Sequence, residues 1–298
     1  MIRIGTRGST LARWQAEWVR ARLVALRPDI ECSVEVFTTA GDLTLDKPLP
    51  EIGGKGLFTE ELERALLAGG IDIAVHSLKD LPVDNPQGLK IGAIAEREDP
   101  RDALVSARYS TLRELPEGSR VGTSSLRRGA QLLSIRPDLA LLPLRGNVDT
   151  RVRKAQEGEY EAIVLAAAGL LRLGRGSSIA SYFGFEEMLP APGQGAMAVQ
   201  CRVDDEATLA LLAGIDHRAT RLAVTAERSF LKGLGGGCSA PIAALGRICD
   251  EGLELEGLVA SRDGSTLVRV RGGDSDPEEL GRRLADEALA KGARELLV

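Results

Sequence analysis

Short apolar segments typical of β-strands alternate with helical segments in two successive parts of this chain. The first part contains a strand over residues 2–6, a helix from the N-cap Ser9 to about Leu26, a strand over Cys32–Phe37, a helix over Phe58–Leu67 and a buried strand over Ile71–Val75. Because strands that alternate with helices usually lie side by side in one parallel sheet, this order favours an α/β lobe.

The alternation restarts after the charged segment Glu96–Pro100. The second part contains a strand that ends at Gly122, a helix capped by Ser124 or Ser125 that reaches about Arg136, a strand over Leu139–Leu144, a helix over Val148–Gln156 and a strand over Ala162–Ala166. Pro190–Gly193 marks a crossover, after which a strand over Ala196–Cys201 returns to the first sheet. We therefore predict two α/β lobes with a hinged cleft.

The segment from about residue 218 has a different order of elements. It contains a long helix over Ala219–Leu231, a glycine-rich turn, three strands over Ile242–Ile248, Leu253–Ala260 and Leu267–Val270, and a closing helix from Pro277. Consecutive strands without intervening helices are usually antiparallel, so we predict a small α+β domain. The predicted domains are residues 1–96 with 196–214, residues 101–190 and residues 218–298.

Composition restricts the class of partner. The net charge is −5 and aromatic residues make up only 3% of the chain, so nucleic-acid binding is not expected. No apolar stretch approaches the roughly 20 residues of a membrane-spanning helix, and the start of the chain lacks a signal-peptide pattern. We therefore expect a cytoplasmic protein that binds neither nucleic acid nor a membrane.

The four cysteines do not indicate a metal site, because they form no C-x-x-C pair and accompany only two histidines. Cys32, Cys201 and Cys249 lie in apolar segments and are predicted to be core residues. Cys238 follows Gly235–Gly237, and glycines permit the backbone angles that expose a thiol on a tight turn. The alternatives for Cys238 are a small buried residue and the nucleophile of a Cys–His pair.

Positive charge is concentrated between Arg120 and Arg175. This segment has nine Arg and one Lys against five acidic residues, a net charge of +5, so the remainder carries −10. Four of its arginines lie at strand ends or helix starts, namely Arg127, Arg128, Arg145 and Arg151. Ligands of α/β folds bind at such positions, and arginine forks favour carboxylates and phosphates. The alternative is a solvated, salt-bridged surface.

Polar residues also follow the buried strand Ile71–Val75, at its carboxyl end, where clefts form. They are His76, Ser77, Lys79 and Asp80. The preceding glycine-rich segment between Gly41 and Gly56 matches neither helix nor strand periodicity and is predicted to be a mobile loop. Lys55 in this loop and the arginines favour an ionised Asp80. A solvated Lys79–Asp80 pair and a structural role for His76 are the alternatives.

Seven motifs, in their order and spacing, resemble the porphobilinogen deaminase family, whose members are also called hydroxymethylbilane synthases. The motifs are Arg3–Ala12, Gly53–Phe58, Ala74–Asp80, Arg97–Asp102, Gly122–Arg128, Leu144–Asn147 and Gly235–Cys238. The resemblance implies two lobes like those of type II periplasmic binding proteins and a third domain that carries the cysteine turn. It also implies a monomer.

The resemblance implies a transferase of tetrapyrrole synthesis that deaminates porphobilinogen, joins four units head to tail on a dipyrromethane primer and releases hydroxymethylbilane by hydrolysis. It assigns catalysis to Asp80 and thioether attachment of the dipyrromethane cofactor to Cys238. The implied cofactor-binding residues are Lys79, Arg127, Arg128, Thr123 and Ser125. The implied substrate-binding residues are Arg7, Ser9, Lys55, Ser77, Arg145, Asn147 and Arg151.

This chemistry agrees with the residues. Primer and four units together carry twelve carboxylates, which a concentrated arginine field is suited to hold. Loss of ammonia from the aminomethyl group leaves a positive charge that spreads to the pyrrole nitrogen, and a carboxylate beneath that nitrogen stabilises the charge and moves protons. Asp80 suits this role. The loop between Gly41 and Gly56 is predicted to act as a lid while the chain grows.

Two alternative functions are compatible with parts of the pattern. A non-enzymatic, two-lobed protein that binds anions or polycarboxylates would release its ligand on unfolding and would not depend on Cys238. An RNA-binding protein that used the arginine-rich segment would lose affinity steeply as salt rises.

Overall fold

The computed structural model describes residues 1–39, 41, 59–236, 240–250 and 252–297. These residues form two compact units. The first contains the described residues of 1–98 together with 196–221, and the second those of 99–195 together with 222–297. The predicted loop between Gly41 and Gly56 lies outside the described residues apart from Gly41 itself. The division into three domains with the boundaries given above stays a prediction.

The described residues contain thirteen strands. They are β1 Ile2–Arg7, β2 Cys32–Phe37, β3 Ile73–Ser77, β4 Leu89–Ile94, β5 Asp102–Val105, β6 Arg120–Gly122, β7 Ala140–Leu142, β8 Ala162–Ala166, β9 Ser181–Tyr182, β10 Met197–Arg202, β11 Ile242–Cys249, β12 Gly252–Ala260 and β13 Leu267–Asp274.

The α-helices of the described residues are α1 Thr10–Leu26, α2 Glu60–Leu67, α3 Leu126–Ile135, α4 Val148–Gln156, α5 Ala167–Arg172, α6 Glu206–Leu212, α7 Arg218–Gly233, α8 Pro277–Ala288 and α9 Arg294–Leu296. Single 3-10 turns occur at Leu78–Asp80, Leu112–Glu114 and Gly176–Ser178, and a π-helical turn at Leu289–Ala293. Over these ranges, helices are either too short or too polar to cross a lipid bilayer.

The sheet of the first unit has the order β2-β1-β3-β10-β4. Strands β2, β1 and β3 are parallel, as predicted, whereas β10 runs antiparallel to both β3 and β4. Strand β10, predicted to return to this sheet, does so in the antiparallel direction, since it begins at Met197 beside Ser77, where β3 ends. Helix α1 covers one face through Ala16, Val19 and Leu23, and α2 covers the other through Leu62 and Leu66.

The second unit contains a five-stranded sheet of order β7-β6-β8-β5-β9 and a separate sheet of order β11-β12-β13. Strand β6 is parallel to β7 and β8, while β5 is antiparallel to β8 and β9. All pairings of the three-stranded sheet are antiparallel, as predicted. Mixed α/β sheets with a separate antiparallel sheet in the C-terminal part confirm the predicted fold class.

Helices α7 and α8 bury their apolar faces against the antiparallel sheet. Phe230 of α7 and Leu284 of α8 are fully buried and belong to one cluster with Leu255 of β12. A Cβ atom at Gly257 would overlap the Phe230 ring, so only glycine lets that ring approach the strand so closely. This cluster forms the core of the C-terminal part of the chain.

Two predicted helix starts are confirmed in atomic detail. The Ser9 hydroxyl accepts a hydrogen bond of 3.2 Å from the backbone N–H of Ala12 and caps α1. At α3 the cap is Ser125, which accepts from the backbone N–H of Arg128. Ser124 instead joins the Leu144 backbone, donating to its carbonyl at 2.9 Å and accepting from its N–H at 3.0 Å. Of the two candidate caps, Ser124 and Ser125, the residue that caps α3 is therefore Ser125.

Candidate functional site

In the first unit, a buried strand end presents the turn that carries Asp80. Strand β3 runs directly into the 3-10 turn Leu78–Asp80, and Leu78 is fully buried. The backbone N–H of Leu78 donates to the carbonyl of Ala196 at 3.0 Å, which fixes the start of the turn. Lys79 is consequently half-buried and Asp80 is exposed.

Four predicted site residues, Arg7, Ser9, Ser77 and Asp80, line a single pocket of about 80 Å³ in the first unit. Arg7 ends β1, Ser9 caps α1 and Ser77 ends β3, so three neighbouring termini meet there. A cationic side chain and a carboxylate therefore line the same small depression. This arrangement suits a ligand that combines an acidic group with a centre of developing positive charge.

His76, for which a structural role was the alternative in the sequence analysis, also lines this pocket. It is 95% buried, and burial, helped by the positive charge of Arg7, lowers the pKa of its imidazole to about 4. His76 is therefore uncharged at neutral pH. The pocket wall thus contains a neutral imidazole between Ser77 and the buried Val75.

In the second unit, the polar residues after β6 form the entry to α3. The backbone N–H of Thr123 donates to the backbone carbonyl of Leu142 at 2.9 Å. The hydroxyl of Thr123 accepts from the backbone N–H of Ser125 at 3.2 Å. Ser125 in turn caps α3. Thr123 and Ser125 are thus held where the positive end of the helix dipole lies.

Arg127 and Arg128 lie in the first turn of α3 and both reach the carboxylate of Asp102 in β5. Nη1 of Arg127 is 2.7 Å from Oδ2, and Nη2 of Arg128 is 2.7 Å from Oδ1. Both arginines are at least 93% buried and Asp102 is fully buried. Burial alone would raise the pKa of Asp102, but the charges and hydrogen bonds of the two arginines hold it well below its usual range.

Arg145, Asn147 and Arg151 gather at the start of α4. The Asn147 side chain accepts from the backbone N–H of Thr150 at 2.9 Å and caps the helix. Nε of Arg151 donates to the carbonyl of Gly146 at 2.7 Å, and Gly146 has a φ of 110°, which favours glycine. Arg145 is half-buried one residue before this glycine. The structure thus brings these three predicted residues to one helix start.

Two of the predicted site residues, Lys55 and Cys238, lie outside the described residues. The structure adds four polar residues that residue-level reasoning did not select, namely Gln15, Asp102, Arg172 and Gln194. Gln15 lines the pocket of the first unit, and the other three are buried polar groups of the second unit. Arg172 donates to the carbonyl of Gly195 at 2.6 Å. These four residues stand out because they are polar and buried, and the sequence alone does not show which residues are buried.

Several solved structures resemble this fold. A nutrient-binding protein from Burkholderia cenocepacia bound to methionine is 13% identical, with 72% of this chain and 90% of that chain covered and a TM-score of 0.46. A periplasmic substrate-binding protein from Coxiella burnetii is 14% identical, with coverages of 74% and 94% and a TM-score of 0.45. Immunogenic lipoprotein A from Vibrio vulnificus is 11% identical, with coverages of 74% and 96% and a TM-score of 0.46.

Two family models match nearly the whole chain. The model "porphobilinogen deaminase, dipyromethane cofactor binding domain" matches residues 2–210, and the model "porphobilinogen deaminase, C-terminal domain" matches residues 221–290. Since both matched models describe an enzyme family, they do not favour the alternative of a non-enzymatic binding protein. The chain therefore belongs to the porphobilinogen deaminase family of dipyrromethane-containing transferases, which make hydroxymethylbilane from four porphobilinogen units for tetrapyrrole synthesis.

Proposed function

We propose that Asp80 is the catalytic carboxylate of this porphobilinogen deaminase and that Cys238 carries the dipyrromethane primer through a thioether. The observation that carries the assignment of Asp80 is its position in one pocket with Arg7, Ser9 and Ser77. Arg7 supplies a cation for a substrate carboxylate, and Asp80 supplies a negative charge beside it. Porphobilinogen has both features that such a pair recognises, namely carboxylates and an aminomethyl-pyrrole.

Asp80 acts where positive charge develops. When ammonia leaves the aminomethyl group of the substrate, the resulting charge spreads to the pyrrole nitrogen, and a fixed carboxylate lowers the energy of that state. The same side chain can give a proton to the departing amine when it is protonated, and the carboxylate so formed can take one from the pyrrole carbon after the new bond forms. The anchored turn Leu78–Asp80 holds the carboxylate in place between successive rounds.

The described residues of the second unit fit a carboxylate-bearing group such as dipyrromethane. Arg127 and Arg128 share only one carboxylate, Asp102, and Nε of Arg127 is buried without a hydrogen-bond partner among the described residues. The start of α3 adds the N-terminal backbone groups near Thr123 and Ser125. We assign primer binding to these four residues together with Lys79. When bound, the primer supplies the terminal pyrrole carbon to which the first substrate unit is joined.

Binding of the carboxylates of substrate and growing chain is assigned to residues from both units and to one residue outside the described part. They are Arg7, Ser9, Lys55, Ser77, Arg145, Asn147 and Arg151. Arginine suits this task because its planar fork holds a carboxylate with two parallel hydrogen bonds. Since one Asp80 serves every round, we propose that hinging of the predicted domains moves the growing chain past it. We further propose a cytoplasmic monomer that binds neither nucleic acid nor a membrane.

The decisive experiment is intact-mass spectrometry of the wild-type protein, Cys238→Ser and Cys249→Ser. Cys249 is an exposed thiol, so its predicted place in the core is wrong, and it provides the matched control. We expect wild type and Cys249→Ser to carry an excess mass equal to two porphobilinogen units less two ammonia molecules, and Cys238→Ser to lack it. A wild-type protein without this mass after incubation with porphobilinogen would refute the assignment of Cys238.

The role of Asp80 is tested in the same preparation. Asp80→Asn keeps the shape of the side chain but removes its charge, so turnover should fall by about three orders of magnitude or more while the primer mass remains. Asp29→Asn, at an exposed ion pair with Arg27 in the first unit, is the control and should retain turnover. Near-normal kcat in Asp80→Asn would rule out the proposed role.

A further inference from the structure

The second unit contains a buried cluster of four polar side chains in which charge is unbalanced. Asp102 accepts hydrogen bonds from Arg127 at 2.7 Å, from Nε and Nη2 of Arg128 at 2.9 and 2.7 Å, and from the Gln194 side-chain amide at 2.9 Å. All four residues are more than 90% buried. Two guanidinium groups and one carboxylate give this cluster a net charge of +1.

A buried excess charge is costly unless a counterion reaches it. Burial lowers the pKa of the Arg127 guanidinium, and the like charge of Arg128 acts in the same direction, while Asp102 opposes both. The single carboxylate of Asp102 is thus the ion-pair partner of both arginines. Among the described residues, one carboxylate therefore faces two guanidinium groups, and one positive charge of the cluster is not neutralised.

The hydrogen bonds of the cluster also indicate that it can bind a further anion. Nη1 of Arg127 donates to Asp102 and to the carbonyl of Leu189, and Nη1 of Arg128 donates to the carbonyl of Val164 at 3.2 Å. Nε of Arg127 is buried without an acceptor among the described residues. The guanidinium planes are thus fixed by protein groups, yet the cluster keeps surplus donor capacity as well as surplus charge.

Gln194 fixes the carboxylate without changing the charge. Its amide nitrogen donates to Oδ1 of Asp102 and also to the carbonyl of Pro100 at 2.8 Å. A second carboxylate at this position would neutralise the cluster, whereas the neutral amide orients Asp102 and leaves the charge at +1. The arrangement therefore suits one further monoanion.

We propose that Asp102 is a positioning residue for primer loading, which holds Arg127 and Arg128 in place and leaves one positive charge for a single carboxylate of the primer. This inference rests on the proposed function, because it takes the primer as the anion. It goes beyond that function in assigning the role of Asp102 and the charge that it leaves. The apo protein then carries the uncompensated charge, and loading of the primer removes it.

The test compares the melting temperatures of apo and holo protein. Apo protein is produced in a host that makes no porphobilinogen, holo protein is the same preparation after incubation with porphobilinogen, and intact mass verifies each state. Asp102→Asn raises the cluster to +2 in the apo protein and to +1 in the holo protein. We therefore expect the apo form to lose more stability, so that the apo–holo difference widens by about 3 °C or more.

Asp138→Asn is the matched control, since Asp138 forms a partly exposed ion pair with Arg136 in the same unit. It should lower both melting temperatures by the same small amount. If Asp102→Asn also lowers both equally, Asp102 is only a structural counterion and the proposal is wrong. Folded Asp102→Asn protein that cannot be loaded would support the proposal, whereas wild-type protein that cannot be loaded would refute the proposed function instead.

A second variant keeps the proposal testable if Asp102→Asn does not fold. Arg127→Met brings the cluster to neutrality in the apo protein, because Asp102 then faces Arg128 alone. The apo–holo difference in melting temperature should narrow, which is opposite in sign to the effect of Asp102→Asn. An unchanged difference in Arg127→Met would overturn the proposal.

Discussion

The side-chain amide of Gln15 donates a hydrogen bond of 2.9 Å to the hydroxyl of Ser77. This contact joins the first turns of α1 to the end of β3, two elements separated by 62 positions in the sequence. Gln15 is 98% buried, so its amide has little access to solvent as a substitute partner. The residue immediately before the turn that carries Asp80 is therefore tied to the helix that Ser9 caps.

Loss of the Gln15–Ser77 contact should weaken both folding and turnover. We expect Gln15→Ala and Ser77→Ala to be coupled by about 1 kcal/mol in a double-mutant cycle of unfolding free energies, because each removes one partner of a partly buried hydrogen bond. Turnover should fall in both single variants, since the turn before Asp80 loses a support. Both tryptophans of the chain, Trp14 and Trp18, lie in α1, so urea unfolding followed by their fluorescence reports on this unit.

The exposed pair of Glu17 and Arg20 on the same helix is the control for this cycle. Its two alanine variants should show coupling below about 0.5 kcal/mol, as exposed ion pairs usually do. Strict additivity of Gln15→Ala and Ser77→Ala would contradict the importance that we give to their contact.

Local signals in the sequence were sufficient for most elements near the site. The helix α1 begins after Ser9 and ends at Leu26 as predicted, because capping and periodicity are encoded within a few residues. The direction of β10 could not be read in this way, since it depends on pairing with Ser77, 120 positions earlier. Strands such as β5 and β9 are short and lack a distinctive alternation.

The same distinction applies to the candidate site. Ser77 and Asp80 follow a recognisable buried strand, so the sequence could place them at a strand end. Asp102 had no comparable signal, because its partner Arg127 is 25 positions away and Gln194 is 92 positions away. A buried charge cluster becomes visible only when tertiary structure brings its members together. Lys55 and Cys238 stay predictions.

Acid should destabilise the first unit through His76. Its pKa is about 4 in the folded protein against a usual value of 6.5, so the unfolded chain binds the additional proton between these pH values. The contribution of neutral His76 to stability is complete above about pH 6.5 and is lost as the pH falls towards 4. At pH 5 the loss amounts to about 2 kcal/mol.

His76→Gln tests this pH dependence because glutamine is polar but does not titrate. Urea unfolding followed by tryptophan fluorescence at pH 7.5 and pH 5.0 gives the change in unfolding free energy for each protein. The change should be smaller in the variant by about 2 kcal/mol, since all other titrating groups are common to both. Equal changes in wild type and variant would show that His76 is not held neutral in the folded state.

Asn147 has a structural role that must be separated from the proposed binding role. Its side chain caps α4 through the backbone N–H of Thr150, and replacement of such a cap by alanine costs about 1 kcal/mol. Asn147→Ala should therefore lower the melting temperature measured by circular dichroism. Asn147→Ser and Asn147→Asp should keep it, because serine and aspartate cap helices about as well as asparagine.

The three variants then differ in their effect on the substrate. Asn147 is exposed at the start of the helix that also carries Arg151, where we place carboxylates of the substrate and growing chain. Asn147→Asp adds a negative charge there and should raise KM for porphobilinogen several-fold, whereas Asn147→Ser should leave KM close to that of wild type. An aspartate variant with wild-type stability and wild-type KM would mean that Asn147 is a helix cap only, because repulsion between like charges would then be absent at this helix start.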